Sequence, residues 1–195
     1  MRAARLLAGA AVLGAALAVT APAQELTVAA GAGGFFPSHR EYRLVYGLGQ
    51  VWTGEVWFKL KGPVGLAAGF ERLSDKGAAV PLDGGDEVYP LEFRRTSVPL
   101  VVFYQIEAGP AAFRLGAGLG VHSYRETWRT VDLDFEGRKV SPRLVLAVFV
   151  APVERLSLFC RASAGSIRTG EGSFLAPNID IGGFQVVGGL AFRIF

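Results

Sequence analysis

Cysteine occurs once in this 195-residue chain, methionine once and histidine twice. One Cys excludes an intramolecular disulfide framework, and one Cys with two His leaves too few ligands for a structural zinc site. Charge is also sparse, at 19% of residues with a net +3. Two of the basic residues, Arg2 and Arg5, fall in an N-terminal segment that reads as removable, and without them 18 basic side chains face 17 acidic ones. No basic stripe survives to follow a phosphate backbone, so nucleic acid is not an expected partner. Past the N-terminus, no stretch of about 20 residues is apolar enough for a spanning helix. Glycine and apolar side chains are abundant instead, at 26 residues and 51%. Past residue 23, Gly accounts for 24 of 172 positions, about twice the ~7% usual for proteins. The length suits one domain with a real core or a closed barrel, and the composition points away from a cytosolic enzyme.

The first 23 residues have the form of an export signal. Arg2 and Arg5 make a basic start, positions 6–19 are continuously apolar, and Ala21, Pro22 and Ala23 place small residues where a signal peptidase reads. Cleavage there leaves Gln24 as the first mature residue and 24–195 as a single barrel domain. The apolar run is too short to span a ~30 Å hydrocarbon core comfortably. Cys160 lies far from the cleavage point and cannot carry a lipoprotein's lipid.

The mature part repeats a period of two, the strand signature. In 111–121, Ala111, Phe113, Leu115, Ala117, Leu119 and Val121 share one face, and Arg114, Gly116, Gly118 and Gly120 the other. Similar sorting appears in 50–60, 64–70, 98–107, 156–164 and 184–194. Two weaker segments, 26–36 and 140–151, bring the number of strands to eight. Tight links with Gly or Pro (61–63, 108–110, 151–155) alternate with longer polar links (37–49, 75–90, 126–138, 168–178). This rhythm predicts an all-β, eight-stranded antiparallel up-and-down barrel with short turns at one rim and four longer loops at the other.

Alternation alone leaves open which face points inward. A soluble periplasmic barrel of the lipocalin kind would turn the apolar face toward a ligand. A transmembrane barrel would turn it toward lipid, its short turns periplasmic and its long loops extracellular. The second face is mostly Gly, Ala and Ser with one or two charges per strand, which suits a lumen better than a water-facing exterior. Its polar members, Glu55, Lys59, Glu71, Gln105, Glu107, Arg114, Arg161 and Arg193, are mixed in sign and are expected to form a lumen network. Buried charges left unpaired cost several kcal/mol.

Three stretches resemble a known group: Arg95-Thr96-Ser97-Val98-Pro99-Leu100, Leu115-Gly116-Ala117-Gly118-Leu119-Gly120, and above all the terminal Gly188-Gly189-Leu190-Ala191-Phe192-Arg193-Ile194-Phe195. With the export signal, they make the chain similar to the small OmpA/OmpX-like outer-membrane β-barrel proteins of Gram-negative bacteria, over the whole of 24–195. The resemblance implies outer-membrane lipid as a partner, and transient contact with the barrel-assembly machinery through Leu190, Phe192 and Phe195. It also implies a monomer without cofactor, with loops free to contact an extracellular ligand. Phe192 shares its face with Ile194 rather than with Phe195, so the register of the last residues stays open. Some relatives modify lipid A by deacylation or acyl transfer, and an outer-leaflet lipid-modifying enzyme is the alternative function.

The chemistry such an enzyme needs is thin here. His122, Ser123 and Glu126 cluster near one strand end, but His122 and Ser123 are adjacent and should point to opposite faces. His39 has no evident partner. Asp83, Asp86 and Glu87 lack the oxygen spacing of a dedicated calcium loop. Gly116, Gly118 and Gly120 precede no helix, so they read as clearance for bulky lumen neighbours such as Trp57 or Phe103. Pro99 and Pro142 each remove a ladder donor, which predicts a bulge or a strand end at both. Trp52, Phe70 and Phe184 at the long-loop end, with Phe58, Tyr104 and Phe192 at the other, are placed to form two aromatic girdles. Neither catalytic nor metal residues are assigned. Eight strands leave no aqueous channel, so a general pore is not expected. Glu126 and the link behind it, with Trp128 and Phe135, form the richest candidate recognition loop.

Overall fold

A computed structural model of the chain describes residues 25–79, 89–130, 132–169 and 179–195. The expected signal segment, its cleavage site and the acidic positions 83–87 lie outside the described residues. Within them, eight strands close into one antiparallel barrel. They are β1 (Glu25–Pro37), β2 (Gly49–Lys59), β3 (Val64–Ala79), β4 (Tyr89–Ala108), β5 (Ala111–Trp128), β6 (Leu133–Val150), β7 (Leu156–Gly165) and β8 (Gly183–Arg193). A short helix, α1 (Arg40–Tyr46), joins β1 to β2. Each strand pairs with its sequence neighbours, and β8 closes against β1.

The alternation seen in the sequence becomes two faces because every ladder holds one register along its length. A slip of a single residue would have swapped the faces. On β5, Leu115 is 64% exposed while Arg114 is 2% exposed. Exposed Leu66, Leu100, Val102, Ile106, Leu144, Leu158 and Leu190 continue an apolar belt around the outside. The polar face is inward, so the lipocalin-type arrangement, with apolar side chains around a ligand, is overturned. A closed barrel with an apolar exterior leaves no unpaired edge in hydrocarbon and presents acyl chains with a matching surface. Cys160 sits on this belt.

The rims are unlike, as expected. At one end, Gly62 and Gly109 take positive φ, 91° and 59°, within tight turns. At the other end the expected loops are shorter than the sequence suggests. β3 runs to Ala79 and β4 starts at Tyr89, and the 126–138 link is largely strand, with β5 reaching Trp128 and β6 starting at Leu133. Charged residues alternating with Gly and aromatics had disguised these strand extensions as loops.

Two proline expectations need correction. Pro99 neither ends β4 nor causes a bulge; β4 stays paired to β5 through Pro99–Gly120, and the β3 ladder resumes in the same register beyond it. Pro142 likewise sits inside β6, opposite Leu119, although the β6–β7 ladder begins just beside it at Arg143–Gly165. Each missing donor faces a place where pairing is already absent. The open register at the C-terminus is a local slip: Ile194 N–H donates to Leu26 O, and Leu26 N–H donates to Phe195 O. One β1 residue thus faces two terminal residues, and Phe192, Ile194 and Phe195 are all exposed.

Candidate functional site in the lumen and its cap

The lumen is filled in layers. Nearest the turn rim, the buried Arg114 donates from Nε to Gln105 Oε1 (2.8 Å) and from Nη2 to Glu25 Oε1 (2.7 Å). Its guanidinium lies 4.2 Å from the Phe149 ring centre and 5.2 Å from those of Trp57 and Phe103. Such a stack satisfies a desolvated cation on its flat faces while its edges hydrogen-bond. Around it lies a vestibule of about 250 Å³. Lys59 and Glu107 pair at its mouth, and Gln105 Nε2 donates to Glu107 Oε1 at 3.0 Å. Arg193 is half exposed there, 3.8 Å from Glu25.

The middle layer is a dense ionic lattice. Arg143 forks onto both Glu71 oxygens (2.8 and 2.5 Å) and reaches Ser163 Oγ (2.7 Å) and Gln185 Oε1 (3.2 Å). Arg161 bridges the two glutamates, at 2.7 Å from Glu71 and 2.5 Å from Glu55. Thr53 and Trp57 donate to Glu55. Two carboxylates against two guanidiniums leave the lattice neutral, which is what permits its burial. Arg95 lies above it, donating to Ile181 O at 2.6 Å and resting 4.5 Å over the Phe35 ring.

The expected lumen residues fall into two groups. Glu55, Glu71 and Arg161 meet in the middle lattice; Lys59, Gln105, Glu107, Arg114 and Arg193 surround the vestibule. Arg143, Glu25 and Arg95 were missed. Arg143 is the only charge on a stretch of β6 apolar on both faces, and its inward parity follows from Ser141, Val145 and Phe149. Arg95 and Glu25 sit just outside the stretches whose alternation was clear.

His122 points inward and Ser123 outward, so that pair is separated as the strand geometry requires. His122 meets two serines the sequence did not suggest, Ser97 at 2.7 Å from Nδ1 and Ser141 at 3.0 Å from Nε2. No carboxylate hydrogen-bonds the imidazole among the described residues, and all three side chains are buried. Gly120 exists for this ring: a Cβ there would come within 2.6 Å of it. At Gly118 a Cβ would instead strike Leu100 O at 1.9 Å. At Gly116 a Cβ would meet Val101 Cγ1 at 2.6 Å and Val102 O at 2.8 Å before Phe103 Cβ at 3.2 Å, so the clearance serves the neighbouring strand more than any aromatic ring.

The far rim is closed by α1. Tyr42 and Tyr46, one turn apart, turn inward and donate to Asp75 Oδ2 (2.8 Å) and Glu126 Oε1 (2.5 Å). Phe93 and Phe35 pack edge-on to Tyr42, and Phe93 stacks on Tyr124. Ile167, Ile179 and Ile181 fill the remaining space. Asp75 and Glu126 lie beyond the apolar belt, flanked outside by Ser74 and Lys76, and by Arg125 and Thr127. Burial holds both carboxyls above their ordinary values, although Tyr42 and Arg95, or Tyr46 and Trp128, pull the other way. Burial likewise raises both tyrosines well above 10. Glu126 thus anchors the cap rather than a His-Ser pair. His39 precedes α1, its Nδ1 lying 2.5 Å from Glu41 without a hydrogen bond to it. Outside, Trp52, Phe70 and Phe184 lie toward the cap and Phe58, Tyr104 and Phe192 toward the turns, all directed outward. Phe36 joins the cap-side ring against Phe184.

No protein-family model matches this chain, and no curated protein matches it. Solved structures do match its fold. The outer membrane protein OprG of Pseudomonas aeruginosa is similar with a TM-score of 0.65 at 10% identity, over 88% of this chain and 96% of that one. The N-terminal β-barrel domain of P. aeruginosa OprF gives 0.56 at 11% identity, over 88% and 99%. Neisserial surface protein A gives 0.55 at 14% identity, over 88% and 96%. The architecture is that of the small eight-stranded outer-membrane barrels.

Proposed function

We propose that this chain is a non-enzymatic outer-membrane barrel whose role is carried by the surface beyond its apolar belt at the capped, extracellular end. The observation that carries this reading is the filled lumen. Above the vestibule at the turn rim, the Arg114 aromatic stack, an ionic lattice and the α1 cap block it in succession, leaving the outer surface as the place for recognition. Strands β3 to β6 continue past the belt as a polar sheet, a stiff support of the kind on which binding residues commonly sit. The structural relatives are outer-membrane proteins, which supports the location.

The test is fractionation with surface labelling. Thr127→Cys, on the outward face of β5, should react with a membrane-impermeant maleimide on intact cells, and the protein should partition with outer membranes. Recovery in the soluble periplasm, or a site protected on cells and reactive only after lysis, would defeat the proposal. A changed lipid A acylation pattern in cells carrying the protein would favour the lipid-modifying alternative instead.

A further inference from the structure

The outward face of β3–β6 changes character abruptly. Phe70, Val98, Val121 and Val140 are the last large aliphatic or aromatic residues on the outward face of their strands. The next outward residues are Arg72, Thr96, Ser123 and Arg138, and they form one continuous row: Arg72 opposite Thr96, Thr96 opposite Ser123, Ser123 opposite Arg138. The row beyond is Ser74, Arg94, Arg125 and Glu136. Arg94 and Arg125 are direct cross-strand partners, an arrangement that repels. Arg94 contacts Glu92 and Arg125 contacts Glu136, whereas Arg72 and Arg138 have no ion pair among the described residues. Of the four arginines in these two rows, Arg94 and Arg125 are thus matched by Glu92 and Glu136, and Arg72 and Arg138, at the edge of the belt, are left to face solvent. On the opposite wall the strands themselves end outwardly in Gln50, Trp52, Phe36, Ala164 and Phe184, and among the described residues the exposed Arg168 lies beyond β7, joined to Asp180 by an isolated β-bridge.

We infer that this sector binds the phosphate groups of a bis-phosphorylated glycolipid in the outer leaflet, with Arg72 and Arg138 as its outer clamps. The inference rests on the membrane reading above and names a partner for that surface. Three features select a lipid over a dissolved anion. The arginines begin where the apolar belt stops, the depth at which acyl chains give way to phosphate. Exposed guanidiniums bind phosphate with bidentate geometry, and Thr96 and Ser123 add hydroxyl donors between them. Three strand spacings separate Arg72 from Arg138, roughly 14 Å along the sheet, so the row suits two phosphates on one headgroup better than one ion. Bound phosphate would also neutralise the Arg94–Arg125 repulsion.

The experiment uses the full barrel refolded in detergent micelles and titrated, by native mass spectrometry, with bis-phosphorylated lipid A and with the same lipid A after phosphatase treatment. The phosphorylated form should bind about tenfold more tightly, with the advantage shrinking as salt is raised. The double variant Arg72→Gln/Arg138→Gln should reduce that preference to within about twofold while leaving the heat-modifiable gel mobility of the folded barrel unchanged. Arg94→Gln/Arg125→Gln should weaken binding in the same direction. Equal affinity of the natural chain for both lipids would overturn the inference, as would an unchanged preference in the first double variant. Displacement of the lipid by millimolar inorganic phosphate would reassign the site to a free anion. A barrel embedded in membranes yet indifferent to phosphate sinks only this inference; a chain found outside membranes sinks the reading beneath it.

Discussion

Glu71 is the side chain on which the lumen depends most. It accepts from both Arg143 and Arg161, so its removal leaves two buried guanidiniums facing one carboxylate, Glu55. Glu71→Ala should therefore destabilise the barrel by about 3–5 kcal/mol, as breaking one side of a buried ion pair does. Urea unfolding in micelles is the measurement. Glu107→Ala removes a pair at the exposed mouth and should change stability by no more than about 1 kcal/mol. Equal losses in the two variants would show that the lattice gains nothing from being dry. The sequence identified Glu71 and Arg161 by their inward parity but could not pair them, since pairing depends on strands three and four positions apart around a closed wall. It missed Arg143 because parity is hard to see in a strand whose inner neighbours, Val145, Ala147 and Phe149, are as apolar as its outer ones.

At the level of elements, the strands were legible wherever a polar lumen met an apolar exterior. They were not legible beyond the belt, where water replaces lipid and both faces become polar. That is why β3 to β6 were expected to end near residues 70, 98, 121 and 140. The helix was harder still, because its seven residues carry only two inward side chains and a Gly47 cap. The buried carboxyls to which the two tyrosines donate give the cap a definite pH response. Asp75 and Glu126 carry folded-state values raised above 3.8 and 4.5, so the closed cap holds protons more tightly than an opened one. Its stability is complete below about pH 4 and declines as pH rises through the raised values. Hydrogen-exchange protection of the α1 amides should accordingly fall, relative to lumen strands, as pH is raised from 4 to 8. Asp75→Asn with Glu126→Gln should flatten that dependence, whereas protection that grows with pH would contradict it.

For the whole molecule, the consequence of a packed interior is electrical silence. Inserted into a planar bilayer, the barrel should give no discrete conductance steps, since the Arg114 stack, the Glu71 lattice and the tyrosine cap interrupt the axis in succession. Regular steps at low voltage would mean that these layers part together. The overall architecture was the most legible feature of the sequence, because an even number of alternating segments with unlike links admits few closed solutions. The soluble alternative failed on one point, the outward turn of Leu115 and its counterparts.

The wall is completed by the first and last strands of the chain, β1 meeting β8 from Thr27–Arg193 to Pro37–Gly183. Until the final residues have emerged, β1 therefore lacks one of its partners, and no partial chain can hide both of its hydrogen-bonding margins. Maturation is all-or-nothing with respect to length: a nascent chain lacking its tail must be shielded by something else or stick to its own kind.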